Sequence, residues 1–256
     1  MNSHHGLLEQ RAAAKMRRRA HSNTNKPASS CQDLLLTTVT HGMLGAMLNP
    51  FDPDAFYIRL DAHIIGIEPR IARSLELPVG LNFAQLHEIL QATFGWTDSH
   101  LHQFMVGGLT VGAPEFDEDA LLDVRTFEAS EIRLQDLTFP YEEDPPLTIV
   151  YTYDFGDNWR HQLILRRASR EEDVKYPRCI AGTRSCPPED VGGYSGYVDF
   201  LDAWLDSDHE EHKNMRQWVG RKFHPEHFDL EATNKAIARA IRASKGGYRF
   251  RLLRMA

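Results

Sequence analysis

The segment from Tyr151 to His161 reads YTYDFGDNWRH and concentrates two carboxylates, an indole and an imidazole within eleven residues. A carboxylate beside an imidazole fixes the ring's tautomer. That pairing is the orienting half of a general-base dyad, or the outer partner of a metal-bound histidine. Asp154 and His161 are the candidates for it. Asp154 and Asp157 also bracket Gly156, and aspartates in such positions commonly accept turn N–H groups. Both roles are therefore open for Asp154.

Three further groups could join this chemistry. His100 and His102 are two residues apart, and on a strand both rings would point the same way, a recurrent arrangement for metal ligands. Together with His161 and a carboxylate they would suit zinc or another first-row divalent ion. The ordinary alternative is polar surface. Glu189 and Asp190 follow Pro187-Pro188, whose fixed φ aims them at whatever the loop covers. They would either cap nearby helix N–H groups or join Asp154 and His161 in one pocket. Cys179 and Cys186 lack the spacing of a zinc knuckle and read as small buried thiols. Gly192-Gly193 lacks the Lys-Ser/Thr that completes a phosphate-binding loop, and no Gly-x-Ser-x-Gly context is present, so nucleotide hydrolysis and serine hydrolysis have no support. No cofactor is implied.

Period-two alternation supplies the elements that would hold these groups. Tyr151 and Trp159 lie on two alternating runs, near 147–154 and 159–166. Gly156-Asp157 reads as a two-residue hairpin loop. That register sets Asp154 opposite Trp159, Thr152 opposite His161 and Val150 opposite Leu163. It places Asp154, Trp159, His161 and Leu163 on one face, and Tyr151, Tyr153, Arg160 and Ile164 on the other. Trp159 is then a core anchor, and Gly156, Asp157, Tyr153, Pro187 and Pro188 are structural. Strands are also predicted near 55–66 and 101–107, the first from the alternation of Phe56, Ile58, Leu60, Ala62 and Ile64. Pro69 and Pro78 mark a connection. Helices are predicted at 83–94 behind the N-cap Asn82, and at 196–206, 209–219 and 229–243. The long Pro/Gly-rich stretch 176–194 is expected to fold back over the hairpin. Ile132, Leu134 and Leu137 form a short strand or turn within an acidic, solvated region. The class is α+β, with a mainly antiparallel sheet and a helical C-terminal part.

Composition is that of a globular protein, 42% apolar and 25% charged, so the chain has ample material for a core. Its charge is uneven. Residues 1–30 hold six Lys/Arg and one acid, residues 235–256 hold seven Lys/Arg and no acid, and the 204 residues between hold 16 against 35. Such a body repels a nucleic-acid backbone, which leaves only the two ends as phosphate contacts. Residues 1–50 are expected to be a disordered or loosely packed basic extension. For residues 1–30 a solubilising tail or an upstream start codon is the ordinary reading, and nucleic-acid contact the alternative. The folded domain is expected at 51–234, and 235–256 holds the end of the last helix and a basic tail. Three cysteines fit a reducing compartment, and no apolar run reaches the length of a spanning helix. A cytoplasmic protein without membrane contact is expected.

Several motifs in order carry a family resemblance. They are Trp96 with His100-Leu-His102, the hairpin Tyr151-x-Tyr-Asp-Phe-Gly-Asp-x-Trp-x-His161, Tyr176-Pro-x-Cys179 and Pro187-Pro-Glu-Asp190, then Gly192-Gly-x-x-Gly-Tyr197 and Trp218-x-Gly220. Over residues 52–235 the chain resembles the plasmid pRiA4b ORF-3-like family of bacteria and archaea. Its members often lie beside mobile elements, and some are described as transposon passenger proteins. The resemblance implies an α+β fold and no established activity. Residues 1–50 match nothing in it, and Val191 stands where other members often carry a further cysteine, which weakens a thiolate metal site. Two readings follow, beside a purely structural or regulatory role. One is a binding or adaptor module for a protein or nucleic-acid partner of a mobile element. The other is a hydrolase-like or metal-dependent enzyme built on Asp154, His161, Glu189 and Asp190.

Overall fold

The computed structural model describes residues 56–112, 126–137, 145–169, 171, 174–220 and 223–244. The N-terminal extension called at 1–50 and the basic tail after residue 244 lie outside them. The core is one eight-stranded sheet. Its strands are β1 (Phe56–Ile64), β2 (Ala72–Pro78), β3 (His102–Val106), β4 (Leu109–Gly112), β5 (Thr126–Glu128), β6 (Leu147–Tyr153), β7 (Trp159–Ser169) and β8 (Arg178–Thr183). They run in the order β5-β4-β3-β6-β7-β1-β2-β8, antiparallel throughout except for the β4–β5 pair. The fold is α+β, as expected, and the β6–β7 hairpin lies at the middle of the sheet.

Among the described residues five helices accompany it: α1 (Phe83–Phe94), α2 (Leu134–Leu137), α3 (Gly193–Leu205), α4 (His212–Val219) and α5 (Leu230–Ser244). Helix α1 starts and stops where its sequence says. Asn82 and Gln85 form a reciprocal capping box, and Gly95 ends the helix in the left-handed region at φ 88°. Its inner face packs Phe83 edge-on to Phe104, and Phe104 against Tyr151. These buried rings, with Leu86, Ile89, Leu90 and Phe94, join helix to sheet.

The hairpin register differs from the expected one. Tyr153 pairs with Trp159, Tyr151 with His161 and Ile149 with Leu163. The loop therefore holds five residues, 154–158, and the left-handed ones are Asp154 (φ 55°) and Asn158 (φ 54°), not Gly156. Asp154 makes the turn. Its Oδ1 accepts from the N–H groups of Gly156 (2.9 Å) and Asp157 (3.2 Å), and its carbonyl accepts from Asn158 (2.6 Å). A one-residue shift moves each side chain to the other face. Tyr151 and Tyr153 thus share the buried face with Trp159 and His161, and Trp159 remains a core residue, 3% exposed.

Strand β2 replaces the expected connection, and β8 lies within what reads as irregular sequence. Arg73 of β2 ties these parts together. Buried, it donates to the carbonyls of Thr93, Ala72, Thr183 and Arg184, and it lies against the rings of Phe94 and Phe228. Burial lowers its pKa from the ordinary guanidinium range. The start of the loop from β8 to α3 is thereby fixed against the end of α1. Among the described residues no helix is long and apolar enough to cross a membrane.

Candidate functional site

Four connections meet at one end of the sheet: 65–71, 95–101, 154–158 and 184–192. The 184–192 loop folds back over this end and is latched there by named contacts. Trp96 Nε1 donates to the Pro187 carbonyl (3.1 Å). Glu189 accepts from Tyr153 Oη at one oxygen, and from Thr97 N (3.0 Å) and Thr97 Oγ1 (2.7 Å) at the other. Tyr153 Oη in turn accepts from Ser99 N (3.0 Å). Burial, then the bond to Glu189, raises the Tyr153 pKa far above that of an ordinary phenol. Glu189 is a latch whose two oxygens are both occupied, not a free base.

The glycines of the 192–196 motif serve close packing. A Cβ on Gly193 (φ 67°) would lie 2.5 Å from the Asp157 carbonyl oxygen, and one on Gly196 would lie 1.9 Å from the Val191 carbonyl. Asp157 Oδ2 accepts from Gly192 N (3.2 Å), where α3 has no side-chain cap of its own. The N-terminus of α3 therefore sits on the hairpin turn, and Asp157 supplies the favourable negative charge there. The sequence placed Glu189 and Asp190 in that role.

Two polar centres result. The outer one brings together His100, Asp154 and Asp190. His100 Nε2 lies 2.9 Å from Asp190 Oδ1 and 3.6 Å from Asp154 Oδ2, the oxygen not used in the turn. The three ligand atoms lie within 4.8 Å of one another. Nε2 is itself buried and makes no aligned hydrogen bond, so Asp190 Oδ1 stands close to the nitrogen but off its axis. The Asp190 side chain is 68% exposed and opens the cluster to solvent.

The inner centre was not read from the sequence apart from His102. His87 of α1 stacks on His102 at 3.4 Å with the rings 7° apart. His87 Nε2 meets Asp98 Oδ1 (2.7 Å), and Nδ1 meets Tyr151 Oη (2.9 Å). Gln91 Nε2 donates to Tyr151 Oη (3.0 Å), and Gln91 Oε1 accepts from Asp98 N (2.9 Å). The network closes into a ring: Asp98, His87, Tyr151, Gln91 and back to Asp98. The two ring nitrogens of His87 are thus shared between Asp98 and Tyr151, and Gln91 bridges the same two partners from the other side. His102 is held neutral. Burial, then the neighbouring His87, lowers its pKa well below the ordinary value. His87, Asp98 and His102 also have atoms close enough for a metal. Parallel rings in van der Waals contact, however, cannot aim their lone pairs at one ion, and His87 has both nitrogens engaged. The signal for this centre was present: His87 and Gln91 continue the four-residue row from Phe83 on the buried face of α1.

The expected histidine set separates. His102 is the first residue of β3 and points inward, whereas His100 precedes the strand and faces the loop, so the two rings do not share a face. His161 joins neither centre. It is fully buried, its Nδ1 bonds the carbonyls of Trp159 (3.1 Å) and Tyr151 (3.3 Å), and it lies edge-on to Trp96 and Phe94. Desolvation pushes its pKa down to about 3. Asp154 therefore meets a histidine as the sequence suggested, but the partner is His100. Burial raises the thiol pKa of both Cys179 and Cys186, which fits small packed thiols.

The motifs on this face decide the family. Residues 57–232 match the plasmid pRiA4b ORF-3-like protein family. The chain belongs to it. A relative is the "Uncharacterized protein y4hQ" of Sinorhizobium fredii, 33% identical over 167 residues that cover 65% of this chain and 82% of that protein. The crystal structure of the protein of unknown function MM3350 from Methanosarcina mazei Go1 is similar at a TM-score of 0.61 and 34% identity, covering 70% of this chain and 96% of that one. The pRiA4b ORF-3-like domain thus includes both polar centres.

Proposed function

We propose that this pRiA4b ORF-3-like protein is a binding module that takes a basic, partly apolar polypeptide segment at the loop end of its sheet. The observation that carries the reading is an apolar rim around acidic groups. Ile65, Leu101, Phe155 and Tyr194 are between 41% and 56% exposed and stand on or just after the four connections of this end. Bonds and close approaches of their neighbours bring them to the same end. The Leu101 carbonyl accepts from Asp154 N (2.9 Å), Ile65 N donates to Arg160 O (2.8 Å), and a Cβ on Gly66 would lie 3.9 Å from Tyr194. Between them lie Asp154, Asp157 and Asp190. Exposed aromatics beside carboxylates suit lysine- or arginine-bearing segments and disfavour phosphate.

An adaptor role beside a mobile element follows from the family resemblance and is carried here as part of the proposal. The basic ends are its only source of nucleic-acid contact, nonspecific and salt-sensitive. The enzyme reading retains one observation, the His100–Asp154–Asp190 cluster, which opens to solvent at Asp190. His161 and Glu189, which it also invoked, are buried or already bonded.

A labelled peptide library pairing Lys/Arg with Leu/Phe tests the binding reading. The changes Phe155→Ser and Tyr194→Ser together should weaken the best binder by about tenfold or more, as loss of aromatic anchors does. Binding to acidic peptides at equal strength, or no binder in the library, would remove it.

A further inference from the structure

We propose that His100, Asp154 and Asp190 form a coordination site for one divalent first-row transition-metal ion. The inference does not depend on whether the apolar rim binds a peptide. Metal–ligand bonds of about 2.0–2.2 Å place neighbouring ligand atoms about 3.0–3.4 Å apart, each well off the other's lone-pair axis. The separations of 2.9 and 3.6 Å around His100 Nε2 bracket that range. The off-axis position of Asp190 Oδ1 is poor for a hydrogen bond and right for a second ligand on the same ion.

The site is built by more than proximity. Asp154 is held by the two turn N–H groups that its Oδ1 accepts, which leaves Oδ2 directed at His100. Asp190 sits in the left-handed region at φ 59°, on a loop latched next door by Glu189. One imidazole and two carboxylates suit zinc, cobalt or manganese better than the softer thiolate-seeking ions. Three protein ligands leave positions for water or for an oxygen of a bound ligand, on the side where Asp190 meets solvent.

The full chain should bind one zinc ion by calorimetry. It should also give a cobalt absorption spectrum of nitrogen/oxygen ligation, with a higher Tm in the metal's presence. His100→Gln and Asp190→Asn should each weaken binding by more than about 100-fold, beyond the 10–100-fold that loss of an outer partner costs. Asparagine tolerates the backbone at 190, and an unchanged near-ultraviolet circular dichroism spectrum would show that the fold persists. Asp199→Asn, which removes an exposed carboxylate of α3 that is not a ligand, should leave affinity within about threefold. Changing His4 and His5 to Gln should leave it unaltered. The proposal fails if the chain binds no ion, or if His100→Gln and Asp190→Asn bind as the parent does. It also fails if Asp199→Asn weakens binding equally, or if His4 and His5 account for it.

Discussion

His100 and His102 are separated by one residue and have opposite surroundings. His102 lies inside, stacked on His87 beside a closed hydrogen-bond ring, where burial holds it neutral. His100 lies at the surface between two aspartates, with its nitrogen unaligned to either. The inner centre is closed: the side chains of Asp98, His87, Tyr151 and Gln91 hydrogen-bond one another in a circuit. The outer centre has carboxylate oxygens to spare and an open side. Residue type and spacing did not distinguish these fates; the start of β3 between the two positions did. Saturated polar groups stabilise, while unsaturated ones at a surface are available to bind.

The contrast is most severely tested at His87. His87→Ala removes two ring bonds and the stacked partner of His102, and leaves a cavity beneath α1. It should cost about 3–5 kcal/mol in chemical denaturation. A cost below about 1 kcal/mol would mean that the circuit is not a stabilising unit.

Acid should act next, through the buried His161. The folded-state pKa of His161 lies at about 3, below the ordinary 6.5, so the unfolded chain binds the extra proton between those values. Its contribution is intact above pH 6.5 and declines as pH falls toward 3. The loss is about 1.4 kcal/mol per unit, or about 3 kcal/mol by pH 4.5. The change His161→Gln should flatten the stability–pH curve below pH 6. An unchanged slope would show that another group carries the acid sensitivity.

Tyr151→Phe is smaller, about 1–3 kcal/mol, because it deletes one hydroxyl and strands His87 Nδ1 and Gln91 Nε2 without removing volume. A thermal melt with the parent midpoint would open the circuit as drawn. Asp190→Asn should change stability by less than about 0.5 kcal/mol in the absence of metal, since the side chain is largely exposed. A larger loss would make Asp190 part of the scaffold and erase the distinction between the two centres.

Much of the fold was legible because hydrophobic period and local caps agree. Helix α1 matches its predicted span, and β1, β3, β6 and β7 fall within a few residues of theirs. Strand β2 was hidden because Arg73 and Glu76, both buried, disguise its inner pattern. Arg73 is satisfied by carbonyls, and Glu76 by Arg59 (2.9 Å) and Arg178, partners remote in sequence. Strand β8 was hidden by glycine, cysteine and arginine that become a strand only at the edge beside β2. In the site, Asp154, Asp190 and His100 were legible as residues but not as a set. The pairing depended on a turn whose left-handed positions fall on Asp154 and Asn158, while local sequence points to glycine. His87, Asp98 and Gln91 went unnoticed because two lie on an otherwise apolar helix face and the third in a short loop.

The contact between the turn and α3 has a consequence for descent. Gly193 has room only while the carbonyl of Asp157 stays where it is, and Gly192 and Asp157 are hydrogen-bonded across 35 residues of chain. A substitution in either motif changes what the other can tolerate. The aspartate-rich turn and the glycine-rich helix start should therefore be kept or lost together among relatives, as one heritable unit written in two places.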